Sequence, residues 1–310
     1  MNLNDLAKNF SDEDKAREFL ENMRWPDGVA CPHCGVIGQA YKLEPKPGAK
    51  THVRKGVWKC GSCREQFTVT VGTIFEDSHI PLNKWLMAIH LLCASKKGMS
   101  AHQLHRMLGV SYKSAWFMAH RIRYAMNEES SEKLSGIIEA DETYIGGKVK
   151  GKGCFEGRQN KLPVVALVER NGRARSFHME HVTAKNLRPV VDEYVQKGSS
   201  LMTDESGLYR SVSSHFASHD TVTHSMGEYV RKEPGKTVHT NTVEGYFSIL
   251  KRGINGVYHH VGKQHLHRYL SEFDFRYNSR KEADGERALQ ALKGFEGKRL
   301  TYRTRTDSQK

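Results

Sequence analysis

Cys31-Pro-His-Cys34 and Cys60-Gly-Ser-Cys63 constrain this chain more than any other residues in it. Two residues between thiolates let both sulfurs reach one ion, and two such knuckles complete a closed, tetrahedral structural Zn²⁺ site. Each knuckle closes on or near a glycine, Gly35 or Gly61. The knuckles stand 25 residues apart, beyond the usual ribbon spacing, and "EPKPG" between them reads as a turn-prone loop. A disulfide pair is the competing reading, disfavoured in a reducing cytosol, and a redox role is disfavoured by the presence of two copies. His33 lies inside the first knuckle, but four thiolates already fill the coordination sphere. Alternation in "VWKCGSCREQFTVTVGTIF" predicts strands leading out of the second knuckle, so residues 25–75 read as a zinc ribbon. Cys93 falls in an apolar helical pattern and reads as core, while Cys154 has no partner spacing.

The chain of 310 residues has room for a larger domain besides, and a hydrophobic fraction of 38% is enough for a real core. No apolar run reaches membrane-spanning length. The start, "MNLNDLAKNFSDEDKAREFL", is acidic and amphipathic, which predicts a helical segment over 1–24 and lacks the basic-then-apolar layout of a secretion signal. The expected location is the cytoplasm. A net charge of +13 favours a polyanionic partner, nucleic acid being the commonest. The excess is concentrated at 42–59, in the insert 148–161, and in the basic tail 283–310, which after Leu292 carries few large apolar residues and is expected to be mobile there.

"IPLNKWLMAIHLLCASKKG" has helical apolar spacing with Gly98 as its stop. "MSAHQLHRMLGVSYKSAWFMAHRIRYAM" then predicts a short helix from Ser100, which with Gln103 makes a capping box, a turn at Gly109-Val110, and a second helix after Ser111. In that second helix Ala115, Ala119, Ile122 and Met126 are expected inward, and Lys113, His120, Arg121 and Arg123 outward. Residues 80–128 therefore read as a helix-turn-helix-like connector, with Lys113, Arg121 and Arg123 as DNA-binding candidates, or as an ordinary helical hairpin.

From Gly136 the period switches to strands. "GIIEADETYIGG" is an apolar strand bearing Glu139, Asp141 and Glu142, and "LPVVALVER" and "RARSFHME" flank the hairpin signal Asn171-Gly172. "TAKNLRPVVDEYVQKG" reads as a helix closed by Gly198, and "SSLMTDESG" as a strand ending at Asp204. Three antiparallel strands followed through a helix by a parallel strand is the order of a ribonuclease H-like α/β fold, a mixed sheet with flanking helices, here over 136–282.

In that order the strand of Asp204 returns beside that of Asp141. Adjacent carboxylates repel unless a cation sits between them, and such oxygen-rich sites hold Mg²⁺ or Mn²⁺. A third carboxylate from a packed helix would complete a two-metal site for in-line phosphoryl transfer. Glu244, in "HTNTVEGYFSILKRG", is placed for that role. The same residue has a plainer reading, because Asn241 followed by Glu244 ahead of an apolar run is a capping-box signature. Glu139 shares the face of Asp141 by the strand period of two, as an alternative ligand or a supporting group; Glu142 points to the other face, and Glu205 directly follows Asp204.

"IEADETYIGGK", "TDESGLY", "TNTVEGYFSILKRGINGVYHHV" and "HLHRYLSEFDFRYNSR" together resemble the DDE transposases of bacterial insertion sequences, and more narrowly the ISXO-like group with an N-terminal zinc ribbon. The resemblance runs from the first knuckle to about Arg280. It implies a catalytic triad of Asp141, Asp204 and Glu244 holding Mg²⁺ or Mn²⁺, with Lys251 as the basic, DNA-contacting residue that follows the third carboxylate. It further implies cleavage at element ends and strand transfer into target DNA. The expected partners are double-stranded DNA, as terminal inverted repeats and as target, and further copies of the chain in a dimer or larger assembly. A non-catalytic zinc-ribbon DNA-binding regulator derived from a transposase is the alternative.

Overall fold

Asp12 opens the first helix. Its carboxylate accepts the backbone N–H of Lys15 at 2.9 Å, satisfying one of the donors that a helix start leaves without a partner. Helix α1 (Glu13–Arg24) then buries Ala16 and Leu20 on one face. This is a computed structural model, and it describes residues 10–44, 54–128, 132–147 and 161–301 together with Lys8. The insert 148–161, apart from Lys161, and Cys154 within it lie outside the described residues. The chain divides into two units, one drawing on residues up to Ser95, Ser100–Ala125 and Glu282 onward, the other on Lys96–Met99 and Met126–Lys281.

In the first unit, strands β1 (Ala40–Lys42), β2 (Trp58–Cys60) and β3 (Gln66–Phe67) form an antiparallel sheet, with Ala40 opposite Cys60 and Trp58 opposite Phe67. The Trp25 ring meets those of Trp58 and Phe67 edge-on at 6.0 and 5.9 Å. Beyond Phe67 the chain turns instead of continuing the strand expected there. Helix α2 (Leu82–Ala94) is buried on most of its circumference, Cys93 included, as a helix apolar all round must be.

Two helices follow in this unit. Helix α3 (Ala101–Leu108) is capped by Ser100, whose hydroxyl accepts the Gln103 N–H at 3.2 Å. It ends at Gly109 in the left-handed conformation (φ 59°), and α4 (Tyr112–Ala125) follows. The outward face expected for α4 needs correcting. Lys113 is exposed, but His120, Arg121 and Arg123 are buried, Arg121 with 5% of its surface accessible. The Arg121 guanidinium donates to the carbonyls of Ile74 and Glu76 at 2.7 Å each and to that of Leu300 at 3.1 Å. The turns that replace the expected strand present carbonyls with no ladder partner, and a five-donor fork can satisfy several of them at once. At the start of the basic tail, Asp284–Lys293 is a helix, α8, packed on α2 and burying Ala288, Ala291 and Leu292.

The second unit is built on a five-stranded mixed sheet. In spatial order its strands are β6 (Ala174–His178), β5 (Leu162–Glu169), β4 (Ile137–Ile145), β7 (Ser200–Thr203) and β8 (Ser218–Thr221). The first three pair antiparallel, while β7 lies parallel to β4 and β8 parallel to β7. Asn171 takes the left-handed conformation (φ 60°) in the β5–β6 hairpin. Helix α5 (Ala184–Tyr194) connects β6 to β7 and ends at Val195 rather than at Gly198. Its stop is set by pairing, because Val195 bridges to Leu134.

Alternation along the strands separates the two faces. Ile138, Ala140, Val165 and Leu167 pack under α5 with Leu187 and Val191. Val164, Ala166 and Val168 pack under α6 (Asn241–Gly253) and α7 (Leu266–Asn278) with Val243, Leu250 and Phe273. The stretch between β7 and α6, which had no assigned structure in sequence, holds β8 and the hairpin β9 (Val230–Glu233) and β10 (Lys236–His239).

Candidate active site and metal centre

The two cysteine knuckles have the same backbone. Gly35 N–H bonds Cys31 C=O at 2.9 Å, and Arg64 N–H bonds Cys60 C=O at 3.2 Å. Both closing residues have positive φ, 76° at Gly35 and 66° at Arg64. Gly61 is needed for a different reason: a Cβ there would meet the Gln39 carbonyl at 2.8 Å. The knuckles bring all four sulfurs within 4.8 Å of one another. Cys31 Sγ lies 3.7 Å from Cys63 Sγ, and Cys34 Sγ lies 3.7 Å from Cys60 Sγ. A tetrahedron of sulfurs at the Zn–S bond length has edges of about 3.75 Å, so the donor set fits Zn²⁺. Among the described residues no other group of three or more His, Cys, Asp or Glu side chains meets that spacing. His33 is exposed, with its ring 6.3 Å from that of Phe67.

The carboxylate site is built by strand register. Glu139 pairs with Met202 across the parallel β4–β7 ladder, so two residues further Asp141 stands beside Asp204, just past the end of β7. Glu139 and Asp141 share the sheet face covered by α6, and Glu244 comes from the first turn of α6. Burial pushes the Asp141 carboxyl up to about 7. The Glu142 N–H, donated at 2.7 Å, opposes that rise, and the negative charges of Asp204, Glu142 and Glu244 add to it. Asp204 accepts the Ser206 N–H at 3.0 Å. Glu142, on the opposite face, is raised by burial and accepts the hydroxyl of buried Tyr209 at 2.9 Å.

Residues 133–278 match the ISXO2-like transposase domain, and residues 11–66 match the transposase zinc-ribbon domain. The chain is also 28% identical over 291 residues to an uncharacterized protein in transposable element ISH50 of Halobacterium salinarum, an alignment covering 87% of this chain and 92% of that protein. The chain thus carries an ISXO2-like transposase domain behind a transposase zinc-ribbon domain. The ribbon of this transposase, with its four clustered thiols, supports a structural zinc.

Within the transposase domain, the start of α6 excludes the capping-box reading of Glu244. The helix starts at Asn241 with Thr240 as its N-cap residue, so Asn241 and Glu244 do not form a capping box. The Glu244 side chain is 46% exposed. Its Oε1 accepts the Thr240 hydroxyl at 3.0 Å and lies 3.4 Å from His224 Nε2. Lys251 is exposed two turns further along the helix. The first-turn N–H groups of Thr242 and Val243 go instead to Glu139, at 2.7 and 3.1 Å.

Sequence reading did not find His224 or Tyr209, for which no local spacing signals a role. His224 is held by Glu205, whose carboxylate accepts the N–H groups of His224 and Ser225 at 2.8 and 3.1 Å. No described helix of the transposase is long and apolar enough to cross a membrane.

Proposed function

We propose that this chain is a DDE-type, metal-dependent DNA transposase that cuts a phosphodiester at an insertion-sequence end and joins the resulting 3′-OH to target DNA, without a covalent enzyme intermediate. Its catalytic domain is read as ribonuclease H-like, spanning 136–282. What supports the reading is that Asp204 and Glu244 lie close enough to Asp141, on the central strand of the sheet, for their charges to act on its carboxyl. Burial and neighbouring negative charge disfavour ionisation of Asp141 when no cation is present. An all-oxygen donor set of this kind suits Mg²⁺ or Mn²⁺ rather than a thiophilic ion. Bound by Asp141, Asp204 and Glu244, these ions would supply an activated water and neutralise charge on the reacting phosphoryl group.

Lys251 lies seven residues beyond Glu244, a rotation of about 20° on a helix, so both sit on one face. Its ammonium is placed to hold the DNA backbone leading into the cut. The zinc ribbon (25–75) and the helical region (80–128) would recognise the terminal repeats, with Lys113 as a phosphate contact. Handling two ends together calls for a dimer or larger assembly, working in the cytoplasm and on the nucleoid.

The test is incubation of the purified chain with the element's own flanking DNA and Mg²⁺. The expected products are 3′-OH nicks at the ends, lost in Asp141→Asn and Asp204→Asn while DNA binding persists. Salt-sensitive binding without any nicking by the wild type would favour the non-catalytic regulator instead.

A further inference from the structure

The Glu139 carboxylate is fully buried, yet it accepts four hydrogen bonds. Its Oε1 accepts Arg170 Nε at 2.6 Å and the Thr242 hydroxyl at 2.8 Å. Its Oε2 accepts the N–H groups of Thr242 and Val243 at 2.7 and 3.1 Å. The other two nitrogens of the Arg170 guanidinium donate to the carbonyls of Thr237 and His239, at 2.6 and 2.8 Å. One buried ion pair thus ties three segments together: β4, the turn after β5, and the corner where β10 passes into α6.

The offsets along the two elements match. Asp141 stands two residues beyond Glu139 on the same face of β4, and Glu244 stands two residues beyond Thr242 in the first turn of α6. The joint between Glu139 and Thr242 therefore ties the strand that carries Asp141 to the helix turn that carries Glu244. With all its acceptor sites engaged and Arg170 neutralising it, Glu139 is not available as a metal ligand. His239 Nδ1 lies 3.1 Å from Glu139 Oε1 and accepts the Asn241 N–H at 3.3 Å, so it too sits at this joint.

We infer that Glu139 and Arg170 are positioning residues that set the separation of Asp141 from Glu244 by clamping the start of α6 onto β4. The inference rests on the proposed metal-binding role of those two carboxylates. A carboxylate at a helix start also complements the positive end of the helix dipole. Side-chain truncation here would leave a buried guanidinium unpaired, so conservative variants are the ones to examine. Glu139→Gln keeps volume and one acceptor, but it turns an amide N–H₂ toward either Arg170 or the helix N–H groups. Thr242→Val removes only the hydroxyl bond and keeps the shape.

The experiment has two readouts on the full-length protein. Hydrogen exchange at the Thr242 and Val243 amides reports the clamp itself, and Mn²⁺ titration followed by the EPR signal of free Mn²⁺ reports its consequence. The expected result is at least a tenfold rise in exchange at those two amides in Glu139→Gln, with Mn²⁺ affinity at least tenfold weaker. Thr242→Val should move both in the same direction by less. In the Glu139→Gln background, adding Glu244→Gln should then cost less Mn²⁺ affinity than it does in the wild type.

Unchanged Mn²⁺ affinity in a folded Glu139→Gln variant, against clear binding by the wild type, would overturn the positioning role alone. Unchanged protection at both amides would overturn the clamp. A wild type that binds no Mn²⁺ would instead sink the metal-dependent reading on which this inference rests, while the exchange result would still judge the clamp.

Discussion

The cysteine cluster comes from two short loops, each closing within five residues on its own backbone bond, whereas the carboxylate cluster needs a parallel strand pair and a helix from elsewhere in the chain. In the first, the ligand spacing is local and the sulfurs already stand close to the corners of one tetrahedron. In the second, proximity is set by register, and burial, with the like charges adding to it, raises the proton affinity of Asp141. A thiolate set of this kind contributes to folding through its metal. A carboxylate set over the middle of the sheet is held together by the fold and strained by burial and by its own charge. Zinc loss should therefore unfold its surroundings, while loss of a carboxylate should spare the fold and remove the chemistry.

The largest effect expected from that contrast is at the zinc. Structural Zn²⁺ contributes on the order of 10 kcal/mol in zinc-finger peptides near neutral pH. Cys60→Ser, or strong chelation, should release about one zinc per chain and disorder the ribbon. The rings of Trp25, Trp58 and Phe67 meet edge-on there, so near-ultraviolet circular dichroism should report the loss while the signal of the five-stranded sheet persists. Intact ribbon signals without zinc would break the comparison on its first side.

On the other side, Asp141→Asn should lower nicking by about 10²–10³-fold or more, the scale on which one preorganised electrostatic group acts. Stability should move the other way. A carboxyl whose folded pKa is raised to about 7, above an unfolded value near 3.9, favours the folded state while protonated. Its contribution is fully present below the unfolded value and is lost as pH rises through about 7. Metal-free wild type should lose stability between about pH 4 and pH 7 from this group. Desolvation also raises Asp274 to about 7, so the difference between wild type and Asp141→Asn in denaturant melts across that window isolates the part due to Asp141. A variant less stable than the wild type at pH 7.5 would contradict the charge-strain argument.

Glu244→Gln sharpens the same contrast at a more exposed position. The side chain accepts one hydroxyl bond, from Thr240, and plays no part in capping α6. Nicking should fall by about 10²-fold, with melting temperature and DNA affinity near those of the wild type. A fully active variant would return the search for the third ligand to Asn241, since both oxygens of Glu139 are engaged.

How much of this was legible in sequence follows from the range of each interaction. The knuckles, the Ser100 cap and four of the five strands of the sheet announce themselves within a few residues, whereas β8 does not. Asp141 and Asp204 meet because strand order implies a register, and sequence alone suggested that order. The start of α6 stays open in sequence because its N–H groups bond Glu139, more than one hundred residues away, and not Asn241 beside them. Arg121 was misjudged for a related reason. A charged residue on a helix reads as outward unless the carbonyls that will receive it are known, and here they belong to Ile74, Glu76 and Leu300. Arg121→Ala should therefore act on stability, by about 3 kcal/mol from several unmet buried carbonyls, with no change in the salt dependence of DNA binding. A lost salt slope in a variant that melts normally would restore Arg121 to the DNA surface.

The smallest effects separate the two units as DNA binders. Lys113, exposed near the start of α4, and Lys251, exposed on the helix that carries Glu244, lie in different units. If each neutralises one phosphate, either alanine variant should reduce the slope of log affinity against log salt by about 0.9 on duplex DNA. The two should differ in everything else. Lys113→Ala removes a contact in the unit that holds the zinc, so it should weaken binding to the element's end while leaving the nicking rate of bound DNA unchanged. Lys251→Ala removes a contact on the same helix face as Glu244, so it should slow nicking or strand joining of bound DNA while leaving Mn²⁺ affinity intact. Equal effects of the two variants on affinity and on the rate at saturating DNA would mean that recognition and cutting are not divided between the units, and that the difference between the two clusters ends at their metals.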